Sequence, residues 1–394
     1  MCIFTIMNNK NITNKYVAKT LFGLEEVLSN ELTQLGAKNI SIAKRAVYFE
    51  GSEELLYAAN LSLRTCLRIL KPIKKFKASN ADLLYNNVIK YDWHKIISSK
   101  DTFAIDSVVN SEYFKHSKYA ALKVKDAIVD QIRNAEGKRP SVDVENPAYR
   151  INIHIEKNNC TILLDSSGES LHKRGYRLSG ETAPLNEVLA AGMIKLSGWE
   201  GNTNFIDPMC GSGTLVIEAA LIAKNIAPNI NRKYFGFMNW NSFDENVFKK
   251  VKQKLISKQK ESNYKIIGND INKSAIESAK ANAVRAKVND SISFVNNDFN
   301  DLKHNLESGV VITNPPYGER LKHKDIIQFY RNFGDTLKKQ FTGFDVWILS
   351  ANKDALKQIG LRTSRKLLLY NGALECKFHN YKMYKGSKKA KYKQ

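Results

Sequence analysis

The chain is predicted to be an α/β protein whose C-terminal half is a doubly wound, mainly parallel sheet preceded by smaller α+β units. Three observations predict this. From Pro184 onward, strand-like apolar runs alternate with helical stretches, the pattern of successive βαβ units. The first such run, Phe205-Ile206, leads into Asp207-Pro208-Met209-Cys210-Gly211-Ser212-Gly213-Thr214 and then the apolar helical run Leu215 to Ala223. Later, Gly309-Val310-Val311-Ile312-Thr313 leads into Asn314-Pro315-Pro316-Tyr317.

The elements follow in chain order. Leu21 to about Leu35 reads as an amphipathic helix with Gly36 as its C-cap. Ala46 to Gly51 reads as a strand, and Ser52 to about Leu61 as a helix. Phe103 to Val108 alternates as a strand. Lys118 to Arg133 is a helix with Ala121, Val124, Ile128 and Ile132 on one stripe. Tyr149 to Glu156 and Cys160 to Asp165 are two strands joined at Lys157-Asn158-Asn159. The connector Leu171-His172-Lys173-Arg174-Gly175-Tyr176-Arg177 is basic. Beyond it, strands are expected at 204–208, 265–269, 291–295, 309–313 and 344–350, and Asn371-Gly372 marks a tight hairpin. The segment 225–262 is longer than a crossover needs and reads as an inserted helical excursion. The aromatics of Lys233 to Trp240 are expected to pack rather than to read bases.

With 394 residues, 43% of them hydrophobic, the chain is large enough for two or three buried cores. It has no apolar run long enough for a membrane-spanning helix, and Met1 to Asn14 lacks the basic start of a signal peptide. Met7 is an alternative start. The five cysteines are scattered without metal-ligand spacing, so no metal is expected, and reduced thiols place the chain in the cytoplasm. Net charge is +22, which points to a polyanionic partner, with a lysine-rich genome as the bland alternative.

The motifs carry the chemistry. Gly211 and Gly213 let the backbone pass close to a ligand, and the following helix start adds a positive dipole end. Asp207 in that turn suits a cationic, amino-acid-bearing ligand better than a phosphate, and S-adenosylmethionine is such a ligand. Asp207, Pro208, Gly211, Gly213 and Thr214 are therefore candidate cofactor residues. Asp270, ending the second strand, can accept from a ribose diol; a helix N-cap is the bland reading. Asp298 after the third strand can accept from an adenine amine, and Phe299 can line the ring pocket. Asn314, Pro315, Pro316 and Tyr317 are the candidate catalytic residues. The Asn314 oxygen and the Pro315 carbonyl can bind both hydrogens of a planar NH2 group, the prolines fix φ, and Tyr317 offers a stacking face worth on the order of 1–3 kcal/mol. Asn314 also borders the cofactor. This is the layout of an S-adenosylmethionine-dependent methyltransferase acting on an exocyclic or amide nitrogen.

These motifs, with Gly168 to Arg177, Tyr119 to Val129 and the extension of the proline motif to Arg320, resemble the THUMP-domain class I methyltransferases. The likeness is nearest to the bacterial 23S rRNA guanine-N2 methyltransferases, and it covers about residues 16–384. It implies an N-terminal extension (1–15), a ferredoxin-like domain (16–70), a THUMP RNA-binding domain (71–166), a linker (167–180), a seven-stranded, Rossmann-like methyltransferase domain (181–384) and a basic tail (385–394). It implies guanine N2 in 23S rRNA, or an assembly intermediate of the large subunit, as target. A tRNA guanine, a DNA adenine N6 and a protein glutamine are the alternatives. It also marks Lys115, His116, Lys118, Lys123, Lys125, Lys173 and Arg174 as candidate RNA contacts. Some relatives carry a second methyltransferase domain for guanine N7, and that activity is not expected here. The oligomeric state is not readable from these features.

Overall fold

A computed structural model describes residues 13–177, 185–318 and 323–384, with 323 and 324 described by backbone alone. Most of the 1–15 extension, the end of the 167–180 linker, Arg320 and the 385–394 tail lie outside the described residues. The chain divides into two compact units. The first takes the described residues up to Thr20, then Ser29–Leu171 and Arg232–Gln253; the second takes Leu21–Leu28, His172–Asn231 and the chain from Lys254 onward.

The first unit is built on an eight-stranded sheet in the order β2-β3-β1-β4-β8-β7-β5-β6. Its elements are β1 (Asn14–Lys19), α1 (Glu25–Gln34, which begins in the second unit), β2 (Lys38–Ala43), β3 (Ala46–Gly51), α2 (Glu53–Ser62) and β4 (Arg68–Lys77), followed by α3 (Ala81–Ile89), β5 (Thr102–Asn110), α4 (Ser117–Glu136), β6 (Ser141–Val142), β7 (Tyr149–Glu156) and β8 (Asn159–Asp165). The boundary expected at residue 70 falls inside β4. That strand pairs with β1 at its start and with β8 along the rest, so one sheet runs through both front regions. Helix α4 covers the sheet with Ala120, Val124, Ala127, Ile128 and Ile132, all fully buried against Ile151, Ile153 and Ile162. The stripe passes through Ala120, not the expected Ala121, which is only partly buried. Gly137 ends α4 with φ 72° and its N–H on Arg133 O, a left-handed cap that suits glycine.

The second unit carries α5 (Glu187–Ser197), β9 (Asn204–Asp207), α6 (Thr214–Ala223), β10 (Ile266–Asn269), α8 (Lys273–Ala286), β11 (Ile292–Val295), β12 (Gly309–Thr313) and α9 (His323–Gln340); α7 (Glu245–Ile256) intervenes between α6 and β10 and begins in the first unit. It closes with β13 (Phe344–Ser350), α10 (Lys353–Lys357), β14 (Arg365–Asn371) and β15 (Leu374–Lys382). Its seven-stranded sheet runs β11-β10-β9-β12-β13-β15-β14, parallel except for β15, which is antiparallel to both neighbours. This is the expected doubly wound class. The chain moves outward from β9 to β10 and β11, then returns to β12 on the other side. Ligands of such sheets bind at the strand ends beside that switch. Asn371 pairs with Leu374, so the final turn is Gly372-Ala373, one residue beyond the expected position; Gly372 takes the positive φ, 62°.

The excursion 225–262 contributes its 232–253 portion to the first unit. Phe237 is 1% exposed, with its ring 4.7 Å from that of Tyr57 and stacked on Phe235 at 5.2 Å. Phe243 and Phe248 close the cluster. Backbone ties join the same surfaces: Phe237 N–H donates to Ser166 O at 3.0 Å, and the Tyr149 hydroxyl to Asn239 O at 2.6 Å. Gly236 is required here, because a Cβ would lie 2.5 Å from Asp165 O. Phe237→Ala is expected to cost about 3–5 kcal/mol of stability in denaturant titration; a loss under about 1 kcal/mol would mean the cluster is not an integral core.

Candidate functional site

Strand β9 ends at Asp207, which is 2% exposed. Its Oδ1 accepts from Met209 N–H at 3.2 Å, curling the chain into the turn. Burial raises its pKa to about 7, against the smaller opposing influence of the Thr313 hydroxyl and the Met209 N–H; Asp270 adds to the rise. The two glycines of the turn differ in purpose. Gly211 has φ 53° and open space where a Cβ would stand. Gly213 has φ 87°, and a Cβ there would lie 2.9 Å from the Cβ of Ala279 on α8. Gly211 thus leaves room for a ligand, while Gly213 permits helix packing and caps α6. Cys210 is buried and its thiol is pushed well up by that burial, which suits a space-filling residue.

Thr214 opens α6, but it is 4% exposed and its hydroxyl accepts from Arg177 at 2.8 Å. The hydroxyl thereby anchors the helix start to the connector. The same Arg177 donates to Leu185 O and pairs with Glu187 at 3.3 Å.

Strand β10 ends at Asn269, which is fully buried. Its Nδ2 donates to Pro208 O and to Asn297 O, both at 3.0 Å, and its Oδ1 accepts from Asn297 N–H at 3.1 Å. Its own carbonyl accepts from Cys210 N–H at 2.7 Å. One amide therefore ties the β9 turn to the segment after β11. Asp270 follows. Its Oδ2 accepts from Gly211 N–H at 2.8 Å and its Oδ1 from Asn272 N–H at 2.9 Å. The α8 cap is Asn272, which accepts from Ser274 N–H, so the helix-cap alternative for Asp270 does not hold. After β11, Asp298 Oδ1 accepts from Asn300 N–H at 2.9 Å. Phe299 is 7% exposed and sits edge-on to Phe329 and Phe333 of α9, in the core rather than on an open face.

Strand β12 delivers Asn314-Pro315-Pro316-Tyr317, neighbouring β9 in the sheet. The Tyr317 hydroxyl donates to Asn314 Oδ1. Burial first, then Cys376, raises the Tyr317 pKa, so the hydroxyl keeps its proton. Tyr317 O accepts from Asn352 Nδ2 at 3.0 Å, and Pro316 O from the Tyr330 hydroxyl at 3.3 Å, which in turn meets Ser350 Oγ at 2.8 Å. The segment is thus held from α9, from the end of β13 and from Asn352, ahead of α10. Tyr317 serves as a brace for Asn314, a role not foreseen from its type alone. Asn269, Arg177, Tyr330 and Ser350 were also missed. For Asn269 the signal was present: a neutral polar side chain at the end of an otherwise apolar strand.

The basic residues separate into two groups. Lys115, His116 and Lys118 are exposed around the start of α4, with Lys123 and Lys125 half-exposed one turn on. Lys123 lies 5.8 Å above the Tyr119 ring, and Lys125 pairs with Asp126 at 2.9 Å. Lys173 is exposed. Arg174 is not available to RNA: its side chain is 1% exposed and its Nε meets the fully buried Glu218 at 3.5 Å. Desolvation of so buried a guanidinium demands that partner.

Residues 174–380 match the family described as RMKL-like methyltransferase domain, residues 78–165 the THUMP domain and residues 15–70 the RlmL ferredoxin-like domain. The chain is 38% identical over 374 residues to slr0064 of Synechocystis sp., a protein named as an RNA methyltransferase, covering 94% of this chain and 97% of that one. It is also 38% identical over 379 residues to the ribosomal RNA large subunit methyltransferase K/L of Syntrophotalea carbinolica, covering 93% of this chain and 53% of that relative. It therefore spans about half the length of the second. Among solved structures, SMU.472, titled as a methyltransferase complexed with SAH, matches at 30% identity with a TM-score of 0.84 over 95% of this chain and 99% of that one. A possible methylase from Clostridium difficile 630 matches at 33% identity with a TM-score of 0.85 over 95% and 100%. With a methyltransferase family matching more than half its length, and near full-length relatives, the chain belongs to the RMKL-like methyltransferases with an N-terminal RlmL-type ferredoxin-like domain and a THUMP domain.

Proposed function

We propose that this protein transfers the methyl group of S-adenosylmethionine to the exocyclic N2 amine of a guanine in 23S rRNA, in the cytoplasm and before the large subunit is complete. The observation that carries the reading is the braced Asn314–Tyr317 segment at the end of β12, beside the β9 turn in the same sheet. An asparagine oxygen has two lone pairs. One takes the Tyr317 hydroxyl, which leaves Asn314 oriented and able to accept one amine hydrogen, and the Pro315 carbonyl can accept the other. Holding both hydrogens draws the nitrogen lone pair out of the ring. Positioning supplies most of the acceleration, and the proton released after transfer needs no strong base.

The residues present fit the cofactor. Asp207 is a buried carboxyl with a pKa near neutrality, and a ligand ammonium beside it would favour its charged form. Gly211 leaves space for a ligand to approach the backbone. Asp270 uses one lone pair on each oxygen and retains others for ribose hydroxyls. Asp298 is the acceptor proposed for the adenine amine. When bound, S-adenosylmethionine supplies an electrophilic methyl group on a positively charged sulfur. The +22 charge and the THUMP domain support RNA as substrate, with Lys115, His116, Lys118, Lys123, Lys125 and Lys173 as phosphate contacts. The name of the Syntrophotalea relative supports the large-subunit RNA, and guanine N2 rests on the family resemblance carried by the motifs. A base must leave its stack to be methylated, which is easier before assembly than in a finished subunit.

Three outcomes test this. Asn314→Ala is expected to lower the turnover number about a hundredfold or more while SAH still binds in calorimetric titration; near-normal turnover would remove the proposed role. The affinity of the wild type for S-adenosylmethionine is expected to fall below pH 7, because protonation of Asp207 removes the charge that faces the cofactor; well below its pKa the slope approaches about tenfold per pH unit. Asp207→Asn should bind weakly with no such dependence, and a flat wild-type profile would contradict the assignment. Mass spectrometry of nucleosides from cells lacking the gene should show one N2-methylguanine missing from 23S rRNA, with protein-free RNA a better substrate in vitro than finished subunits. Loss from tRNA instead would move the target there.

A further inference from the structure

The turn between β14 and β15 does not account for the asparagine that precedes it. Asn371 pairs with Leu374 as the last residue of β14, and Gly372 takes the positive φ of 62°. Asparagine is disfavoured in strands. Its side chain instead reaches the hydroxyl of Tyr317, far earlier in the chain. Against the larger effect of burial it lowers the pKa of that phenol, the direction expected when an amide N–H donates to the oxygen.

Cys376 stands on the facing strand. Leu369 pairs with Cys376, and Asn371 lies two residues beyond Leu369, so Asn371 and Cys376 share one face of the hairpin. The thiol is fully buried, and burial raises its pKa, so it keeps its proton. Its Sγ donates to the Tyr317 hydroxyl at 3.7 Å, with Leu374 O at 3.6 Å as the alternative acceptor. The Asn371 backbone N–H supports the same sulfur.

These donors decide what Tyr317 can do. Its phenol oxygen carries one proton and can accept as well. With Asn371 and Cys376 on its accepting side, the hydroxyl has its proton to offer, and that proton goes to Asn314 Oδ1. A carboxamide turned end for end would bring Asn314 Nδ2 to an oxygen already supplied with donors. It would also aim N–H groups at the substrate amine, and two donors cannot bond to each other.

We propose that Asn371 and Cys376 are positioning residues for methyl transfer: through the Tyr317 hydroxyl, the β14–β15 hairpin fixes which end of the Asn314 carboxamide meets the substrate amine. This rests on the reading that Asn314 accepts from that amine.

Transfer to a protein-free 23S rRNA transcript, measured on the full-length protein in two backgrounds, tests this. In the wild type, Asn371→Ala and Cys376→Ala should each lower kcat about 2- to 13-fold, the worth of one neutral hydrogen bond. KM for RNA and the calorimetric affinity for SAH should not change, and Cys376→Ser, which keeps a donor, should restore kcat. Tyr317→Phe should lower kcat by itself, and in that background Asn371→Ala and Cys376→Ala should cost nothing more, because no hydroxyl remains to be turned. Should Asn371→Ala not fold, the two Cys376 variants decide alone. A merely structural role would lower kcat by the same factor in both backgrounds, and that outcome overturns the proposal. Full kcat in the single variants, or a loss confined to KM or to SAH affinity, does the same. A readout without turnover is the side-chain NH2 signal of Asn314 in NMR of protein carrying isotope-labelled asparagine, assigned by its loss in Asn314→Ala. It should move in Cys376→Ala and Tyr317→Phe and stay in place in Cys376→Ser; a signal unmoved in the first two overturns the proposal even if the transcript is not the substrate. Near-normal turnover in Asn314→Ala would overturn the reading of Asn314 and with it the catalytic use of the hairpin. A full loss in Asn314→Ala with equal hairpin effects in both backgrounds would sink the proposal alone.

Discussion

The fully buried carboxamide of Asn269 holds the candidate site together. It makes three hydrogen bonds, to Pro208 in the β9 turn and twice to Asn297 after β11, while its backbone carbonyl takes Cys210 N–H. No charged residue could replace it at that depth without desolvation cost, and no apolar residue could satisfy the carbonyls it serves. A buried polar group left unpaired costs about 1–3 kcal/mol, so the three strand ends are fixed relative to one another as a set. Asp270, one residue on, then reaches Gly211 N–H, and Asn296 Nδ2 reaches Asp270 O and Ile271 O. The proposed cofactor acids inherit their positions from this lattice of neutral amides.

The Asn314–Tyr317 segment is organised differently. Its rigidity comes from two prolines, which restrict φ, and from hydroxyl and amide contacts made by Tyr330 of α9 and by Asn352 ahead of α10. Tyr330 links Pro316 to Ser350, and Asn352 holds the Tyr317 carbonyl. The Tyr317 hydroxyl then turns the Asn314 carboxamide. Such bracing suits a reaction whose acceleration is mainly geometric, because orientation costs nothing further at the moment of transfer.

Charge is partitioned by depth. Lys115, His116 and Lys118 remain at the surface, where they can meet phosphates. Arg174 is buried against Glu218, and Arg177 joins Glu187 to the first residue of α6. Burial raises the Glu187 pKa while Arg177 lowers it, so the pair stabilises the charge of each member where neither would be tolerated alone. The basic connector is therefore chiefly internal framework, with Lys173 as its exposed cation.

The sequence by itself located the parallel strands of the second sheet along the chain and both site motifs. Alternation of apolar strands and helices specifies a parallel sheet, and the Gly-rich turn and Asn-Pro-Pro-Tyr each follow a strand end, a local arrangement of neighbours in the chain. The THUMP and ferredoxin-like regions were legible only through their resemblance, since β1, β2 and β4 are short or basic and carry little periodicity. Tertiary structure alone decided the rest. Whether Arg174 faces water or Glu218, whether Phe299 lines a pocket or packs on Phe329, and whether Thr214 serves a ligand or Arg177 depends on partners distant in sequence. The same is true of Gly213, whose need is set by Ala279, and of the excursion through Phe237, whose core partner Tyr57 comes from near the start of the chain. Residue type and spacing record what a side chain can do; burial and the identity of its neighbour, which only the folded chain supplies, select what it does.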